Sequence, residues 1–231
     1  MRKTKTMSRR ILTFLIVAAT LFTGLSFPQS ASAVDIPVTS GMLSNFTAAN
    51  FSANTWTNSA VGGSGNATAS GTASVVSIAA NAFGNTKAFQ AVQGARADSI
   101  DFGNAALPAT YTLFTVARYN PSNPTDYAAG DYNNSSGRNR IFSSKTGNWL
   151  SGFWAGYSGV AYHDGWKTSS SIDTHQNNWV LSSDVSAPTY RSTVYNSYSS
   201  KGTSVSTTNT ADSVAHGMII NGGAFPETSN F

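Results

Sequence analysis

Tyr111-Thr112-Leu113-Phe114-Thr115-Val116-Ala117-Arg118-Tyr119 opens the stretch that decides the fold. Arg140-Ile141-Phe142, Asn148-Trp149-Leu150-Ser151-Gly152-Phe153-Trp154 and Gly159-Val160-Ala161-Tyr162-His163 follow it, and the run closes at Trp166. Each segment is short, apolar and aromatic, and the sequence between them is rich in Gly, Asn and Ser, the pattern of strands joined by turns. In the first segment Tyr111, Leu113 and Tyr119 share one parity, and Phe114 and Val116 share the other. Both faces are therefore apolar, and the segment reads as a central strand covered on both sides. Gly156-Tyr157-Ser158-Gly159 lies between two strand patterns and predicts a hairpin turn there.

Working outward, strand patterns recur at residues 74–79, 98–102, 179–181, 190–198, 203–207 and 218–220. At 98–102, Ile100 and Phe102 fall on one face and Asp101 on the other. Residues 45–51 read as a short helical turn or a first strand. Residues 59–71 and 120–137 are loops by composition, the second holding Pro121, Pro124, Gly130, Asp126, Asp131, Asn133 and Asn134. There is no sustained helical periodicity, heptad or internal repeat. Many short strands separated by turn signals predict an all-β sandwich.

Residues 1–33 read as an export signal. Arg2, Lys3, Lys5, Arg9 and Arg10 form a basic start, residues 11–27 are apolar, and Ala31-Ser32-Ala33 is a small-residue cleavage site. The apolar run is interrupted by Thr13, Thr20, Thr23, Gly24 and Ser26 and meets Pro28, so it falls short of the roughly 20 predominantly apolar residues of a spanning helix. The expectation is a secreted, extracellular domain over residues 34–231, with no stable membrane insertion after cleavage. The precursor's net charge of +4 then misleads: after position 33 there are nine basic residues against ten acidic ones, a net charge of −1. A basic nucleic-acid-binding surface has no support in that composition. The chain has no cysteine, which excludes a disulfide scaffold and thiolate metal sites. Charged residues make up 10% of it, against about 25% in an ordinary soluble domain, so Ser, Thr, Asn and Gly must carry the surface.

At the Tyr111–Tyr119 segment, Arg140-Ile141-Phe142, residues 148–154, residues 159–163, Trp179-Val180-Leu181, Tyr190-Arg191 and Ile219-Ile220-Asn221-Gly222-Gly223, the chain resembles the concanavalin A-like lectin/glucanase superfamily, and within it the bacterial laminin G-like jelly rolls. The resemblance spans residues 56–231. It implies an all-β, two-sheet antiparallel jelly-roll sandwich over residues 34–231. Members of that family continue past the Asn-Gly-Gly turn into a last apolar strand, whereas this sequence reaches Phe231 without one. The expectation therefore includes a sandwich lacking its last strand. The match is one of architecture, and a fold hosts unrelated functions.

Glucanases of that superfamily use clustered carboxylates, because retaining hydrolysis needs two of them about 5 to 5.5 Å apart. Here Glu227 is the only glutamate, and among Asp35, Asp98, Asp101, Asp126, Asp131, Asp164, Asp173, Asp184 and Asp212 no two are spaced i, i+2. Asp98 and Asp101 fall on opposite strand faces. Carboxylates converging from different strands remain the one route to a polysaccharide-active enzyme. Gly62-Gly63-Ser64-Gly65-Asn66 and Gly156-Tyr157-Ser158-Gly159-Val160 lack the last glycine of a nucleophile elbow. Gly62-Gly63-Ser64-Gly65 also lacks the lysine of a phosphate loop. His163, His175 and His216 are too scattered for a zinc site by spacing and read as ordinary surface or hydrogen-bonded histidines. No cofactor is expected, with calcium left open because Asp126, Asp131, Asn133 and Asn134 offer the hard oxygens it prefers. The same residues serve equally as turn formers.

The functional lead is aromatic. Trp149, Phe153, Trp154, Tyr157, Tyr162, His163 and Trp166 fall close together in the chain. Sugar rings pack their C–H faces on flat aromatic side chains while polar groups bond their hydroxyls. Strand alternation makes half of this group core, and Tyr157 and Trp166 are the two least accounted for by packing. The candidate ligand-binding residues are Trp149, Trp154, Tyr157, Tyr162, His163, Asp164 and Trp166. They point to a non-catalytic carbohydrate-binding or cell-surface adhesion module, whose partner is a glycan or another component of an extracellular surface. A structural or protein-binding extracellular domain is the alternative that leaves all these rings internal.

Overall fold

The computed structural model describes residues 41–82, 85–103, 107–108, 110–120, 139–163, 165–168, 179–186, 191–197, 203–207 and 217–231. Residues 1–33, read from the sequence as an export signal, and the loop aspartates and asparagines considered for calcium lie outside these. The described chain is antiparallel β-structure with one 3-10 turn at Ala48–Asn50. The largest sheet has eight strands, in the order β1 (Phe51–Ser52), β2 (Thr55–Trp56), β3 (Ala67–Ser70), β6 (Ser99–Asp101), β14 (Met218–Ile220), β8 (Phe142–Ser144), β9 (Trp149–Trp154), β10 (Tyr157–His163). A second sheet runs β13 (Thr203–Thr207), β12 (Arg191–Ser197), β11 (Val180–Ser186), β7 (Tyr111–Ala117), and a third pairs β4 (Ser74–Ile78) with β5 (Phe89–Gln93). The expected two sheets are thus three among the described residues, because β5 and β7 do not pair with each other.

The hairpin of β9 and β10 shows why the local sequence folds as it does. Its turn is Ala155-Gly156, both at positive φ (50° and 81°), which is the two-residue turn whose twist matches the flanking strands. The turn thus lies two residues earlier than expected, and Tyr157 is a strand residue opposite Trp154. Further along, the register shifts between Ser158 and Val160, leaving Gly159 (φ 75°) as the extra residue of a bulge.

The inward face of the large sheet is built from a row of paired residues, Ala69, Ile100, Ile220, Phe142, Ser151 and Ala161, one from each of β3, β6, β14, β8, β9 and β10. All six are buried. Above the β9–β10 end lie β7 and β11. Trp149 and His163, directly opposite each other on β9 and β10, stack with ring centroids 5.6 Å apart and planes 13° from parallel. Trp149 Nε1–H donates to the Tyr111 hydroxyl at 2.8 Å, and His163 Nε2 meets Asp184 Oδ2 at 2.8 Å. Two side chains of one sheet are thereby tied to two of the other with all four groups buried.

The strand at β7 keeps the expected alternation but not the expected double cover. Tyr111 and Ala117 are buried and Leu113 is half-buried, whereas Phe114 is 70% and Val116 60% exposed, beside Leu181, 50% exposed and paired with Val116. Among the described residues Phe114, Val116 and Leu181 thus form an exposed apolar strip on this sheet.

Breaking the His163–Asp184 contact from one side leaves a buried polar ring without its carboxylate, so Asp184→Ala is expected to cost about 1 to 3 kcal/mol in urea denaturation. At the Asn221-Gly222-Gly223 turn all three residues have positive φ (56°, 93° and 91°), and a Cβ on Gly223 would run into the Ser144 carbonyl. Gly223→Ala is expected to lower stability by more than about 1 kcal/mol in the same assay.

Candidate aromatic site

The seven sequence candidates separate by strand face. Trp149 and His163 point inward and are fully buried, so they are core residues with no side open to a ligand. Asp164 lies outside the described residues. Trp154, Tyr157, Tyr162 and Trp166 belong to the opposite, outward face, where Trp154 pairs with Tyr157 and Leu150 with Tyr162.

Trp166 joins this face because the chain turns back after β10. Lys167 N–H donates to the Ala161 carbonyl and His163 N–H to the Gly165 carbonyl, each at 3.0 Å, while Ala161 N–H donates to Thr168 Oγ1 at 2.9 Å. Residues 165–168 thus cover the edge of β10 and set Trp166 opposite Tyr162 in a single antiparallel bridge. Residues directly opposite each other share a face. The Trp166 ring accordingly meets Tyr162 edge-on at 5.2 Å (88°) and Trp154 at 5.0 Å (62°). Trp154 and Tyr162 are half-buried and Trp166 is 40% exposed. Leu150 and Val160, which share this outward face, are buried.

Arg140 is the centre of a largely buried polar group. Arg140 donates through Nη1 to Asn148 Oδ1 at 2.9 Å, pairs with Glu227, and lies 4.6 Å above the Phe225 ring. Burial pulls the Arg140 guanidinium below its ordinary pKa, opposed by the charge of Glu227, by its hydrogen bond, and by Tyr162. Tyr162 thus stands within the electrostatic reach of this group. Sequence reasoning missed the set, although one signal pointed to it: Glu227 is the only glutamate in the chain.

The described carboxylates are engaged one at a time. Asp98 Oδ1 accepts from Thr72 N–H and its Oδ2 from Ala95 N–H, Asp101 meets Lys145 at 2.7 Å, and Asp184 faces His163. Among the described residues no three of His, Cys, Asp and Glu gather as a metal site would require. Comparison with known proteins finds no match to this chain among family profiles, curated proteins or solved structures.

The separation by face has a direct thermodynamic reading. Trp149→Ala, which empties a core position and removes the indole N–H that donates to the Tyr111 hydroxyl, is expected to cost about 3 to 5 kcal/mol. Trp166→Ala is expected to cost less than about 1.5 kcal/mol, because much of the ring already faces water. Parallel denaturant titrations of the two variants check this.

Proposed function

We propose that this protein is a secreted, non-catalytic glycan-binding module built as a jelly-roll sandwich of the laminin G-like kind, acting on a carbohydrate-bearing extracellular surface. The observation that carries the reading is the outward cluster of Trp154, Tyr162 and Trp166, whose rings are only partly covered. Apolar ring faces next to a few fixed hydrogen-bonding groups are what a sugar ring requires. Tyr157 extends the same face along β10.

A protein-binding extracellular domain is the second reading, and the open strip of Phe114, Val116 and Leu181 on the four-stranded sheet favours it. Hydrolysis through converging aspartates draws no support from Asp98, Asp101 and Asp184, each committed to a different partner.

A glycan array probed with the secreted protein tests the proposal. Binding to a defined set of glycans is expected, reduced at least about tenfold in Trp166→Ala, a loss of about 1.4 kcal/mol, with the fold intact by circular dichroism. An array without a hit, together with a protein partner whose binding is lost in Phe114→Ser, would move the function to the other sheet.

A further inference from the structure

Asn221 is the only asparagine in the chain followed by glycine. That dipeptide is the one most prone to lose its side-chain amide, because glycine has no Cβ to shield its nitrogen from the preceding Cγ and its backbone turns freely enough to bring the two together. The local backbone is a tight turn, with φ of 56° at Asn221 and 93° at Gly222. Yet the Asn221 carboxamide is held at both ends. Nδ2 donates to the carbonyls of Ser229 at 2.7 Å, Asp98 at 2.9 Å and Ala95 at 3.2 Å, and Oδ1 accepts from Ser229 N–H at 2.8 Å. The main-chain N–H of Asn221 donates to the Ile141 carbonyl at 3.1 Å. The residue is buried, at 1% exposure.

The segments that hold the amide are themselves tied down. Asp98 Oδ1 accepts from Thr72 N–H at 2.7 Å and its Oδ2 from Ala95 N–H at 2.8 Å. Ser229 Oγ accepts from Asn139 N–H at 2.6 Å, and Arg96 N–H donates to Asn230 Oδ1 at 3.0 Å. Attack on Cγ by the Gly222 nitrogen requires the carboxamide to rotate and Nδ2 to leave its plane, and neither happens while these bonds stand. Reaction therefore waits for a local opening that parts residues 95–98, 221 and 229.

We propose that Asn221-Gly222 is a site of spontaneous deamidation gated by that opening, and that the modification runs one way. The Gly222 nitrogen bonds to Asn221 Cγ as the Cγ–Nδ2 bond breaks, and the proton lost from Gly222 leaves with Nδ2 as ammonia. Water then opens the resulting succinimide, at Cγ to give aspartate or at the main-chain carbonyl to give isoaspartate. No oxidant or reductant takes part. Neither product rebuilds the contacts. A carboxylate has no hydrogen to give, so the three carbonyls that shared the Nδ2 hydrogens would face a buried anion. Isoaspartate also routes the main chain through Cγ, lengthening a turn in which Gly223 has no room even for a Cβ beside the Ser144 carbonyl. The folded protein thus carries a chemical clock that runs only while this polar junction is open.

The test follows deamidation of the full chain by peptide mapping at mildly alkaline pH, in buffer and in denaturing urea. In urea Asn221 is expected to be the fastest-reacting asparagine, slowed at least about tenfold by Gly222→Ala. In buffer its rate is expected to be lower by at least about a hundredfold. Ser229→Ala removes the acceptor of Asn139 N–H but keeps every main-chain bond to Asn221, and is expected to speed the reaction in buffer at least about tenfold while leaving the rate in urea unchanged. Asn221→Asp, which keeps the shape of the side chain, is expected to lower the melting temperature by about 5 °C or more. A faster reaction at another asparagine in urea, equal rates in buffer and urea, no acceleration in Ser229→Ala, or an Asn221→Asp chain as stable as the parent would overturn the proposal.

Discussion

The sandwich depends on a polar constraint buried between its sheets. Apolar contact between sheets is non-directional and tolerates sliding, but the contacts from Trp149 to Tyr111 and from His163 to Asp184 do not. Each is made between buried groups, so a shift of one sheet over the other by a single residue breaks both contacts inside the core. The stacking of Trp149 on His163 couples the two contacts, since neither ring moves without the other. This matters more in a chain with few charges and no cysteine, where neither surface ion networks nor crosslinks define the alignment.

Much of the strand content was legible in the sequence. β13 and β14 lie at the residues their alternation indicated, and β7 and β9 lie within the segments that framed the reading. What escaped has a physical cause in each case. β3 is Ala67-Thr68-Ala69-Ser70, too small and polar to read as a strand, and it is one because it pairs with β2 and β6 and buries Ala67 and Ala69. β5 escaped because its identity comes from pairing with β4 rather than from its own alternation. The Tyr111 segment was apolar on both parities, which sequence reads as double burial, yet Phe114 and Val116 face outward. Alternation reports the chemistry of a face and is silent on what stands opposite it.

The candidate site was legible only as composition. A group of rings close together in sequence was visible, and so was the rule that half must turn inward, but which half depended on the position of the hairpin turn. Placing that turn at Ala155-Gly156 moves Tyr157 into β10 and gives it a partner. Trp166 depended on residues 165–168 folding back along β10, a path held by backbone bonds to Ala161 and His163 that no side-chain pattern announces. The same limit hid Arg140, Asn148 and Glu227, which meet across the fold.

The bulge at Gly159 carries a consequence for the outward face. Tyr157 and Tyr162 are five positions apart, an odd spacing, and in an uninterrupted strand one would point to solvent and the other to the core. The extra residue between Ser158 and Val160 reverses the phase midway. The strand thereby obeys two rules in succession, presenting Tyr157 beside Trp154 before the irregularity and Tyr162 beside Leu150 after it, while still delivering His163 to Asp184 within. One unpaired glycine thus works as a phase inverter, letting a single strand furnish rings to an outside surface at both ends and a polar anchor to the inside.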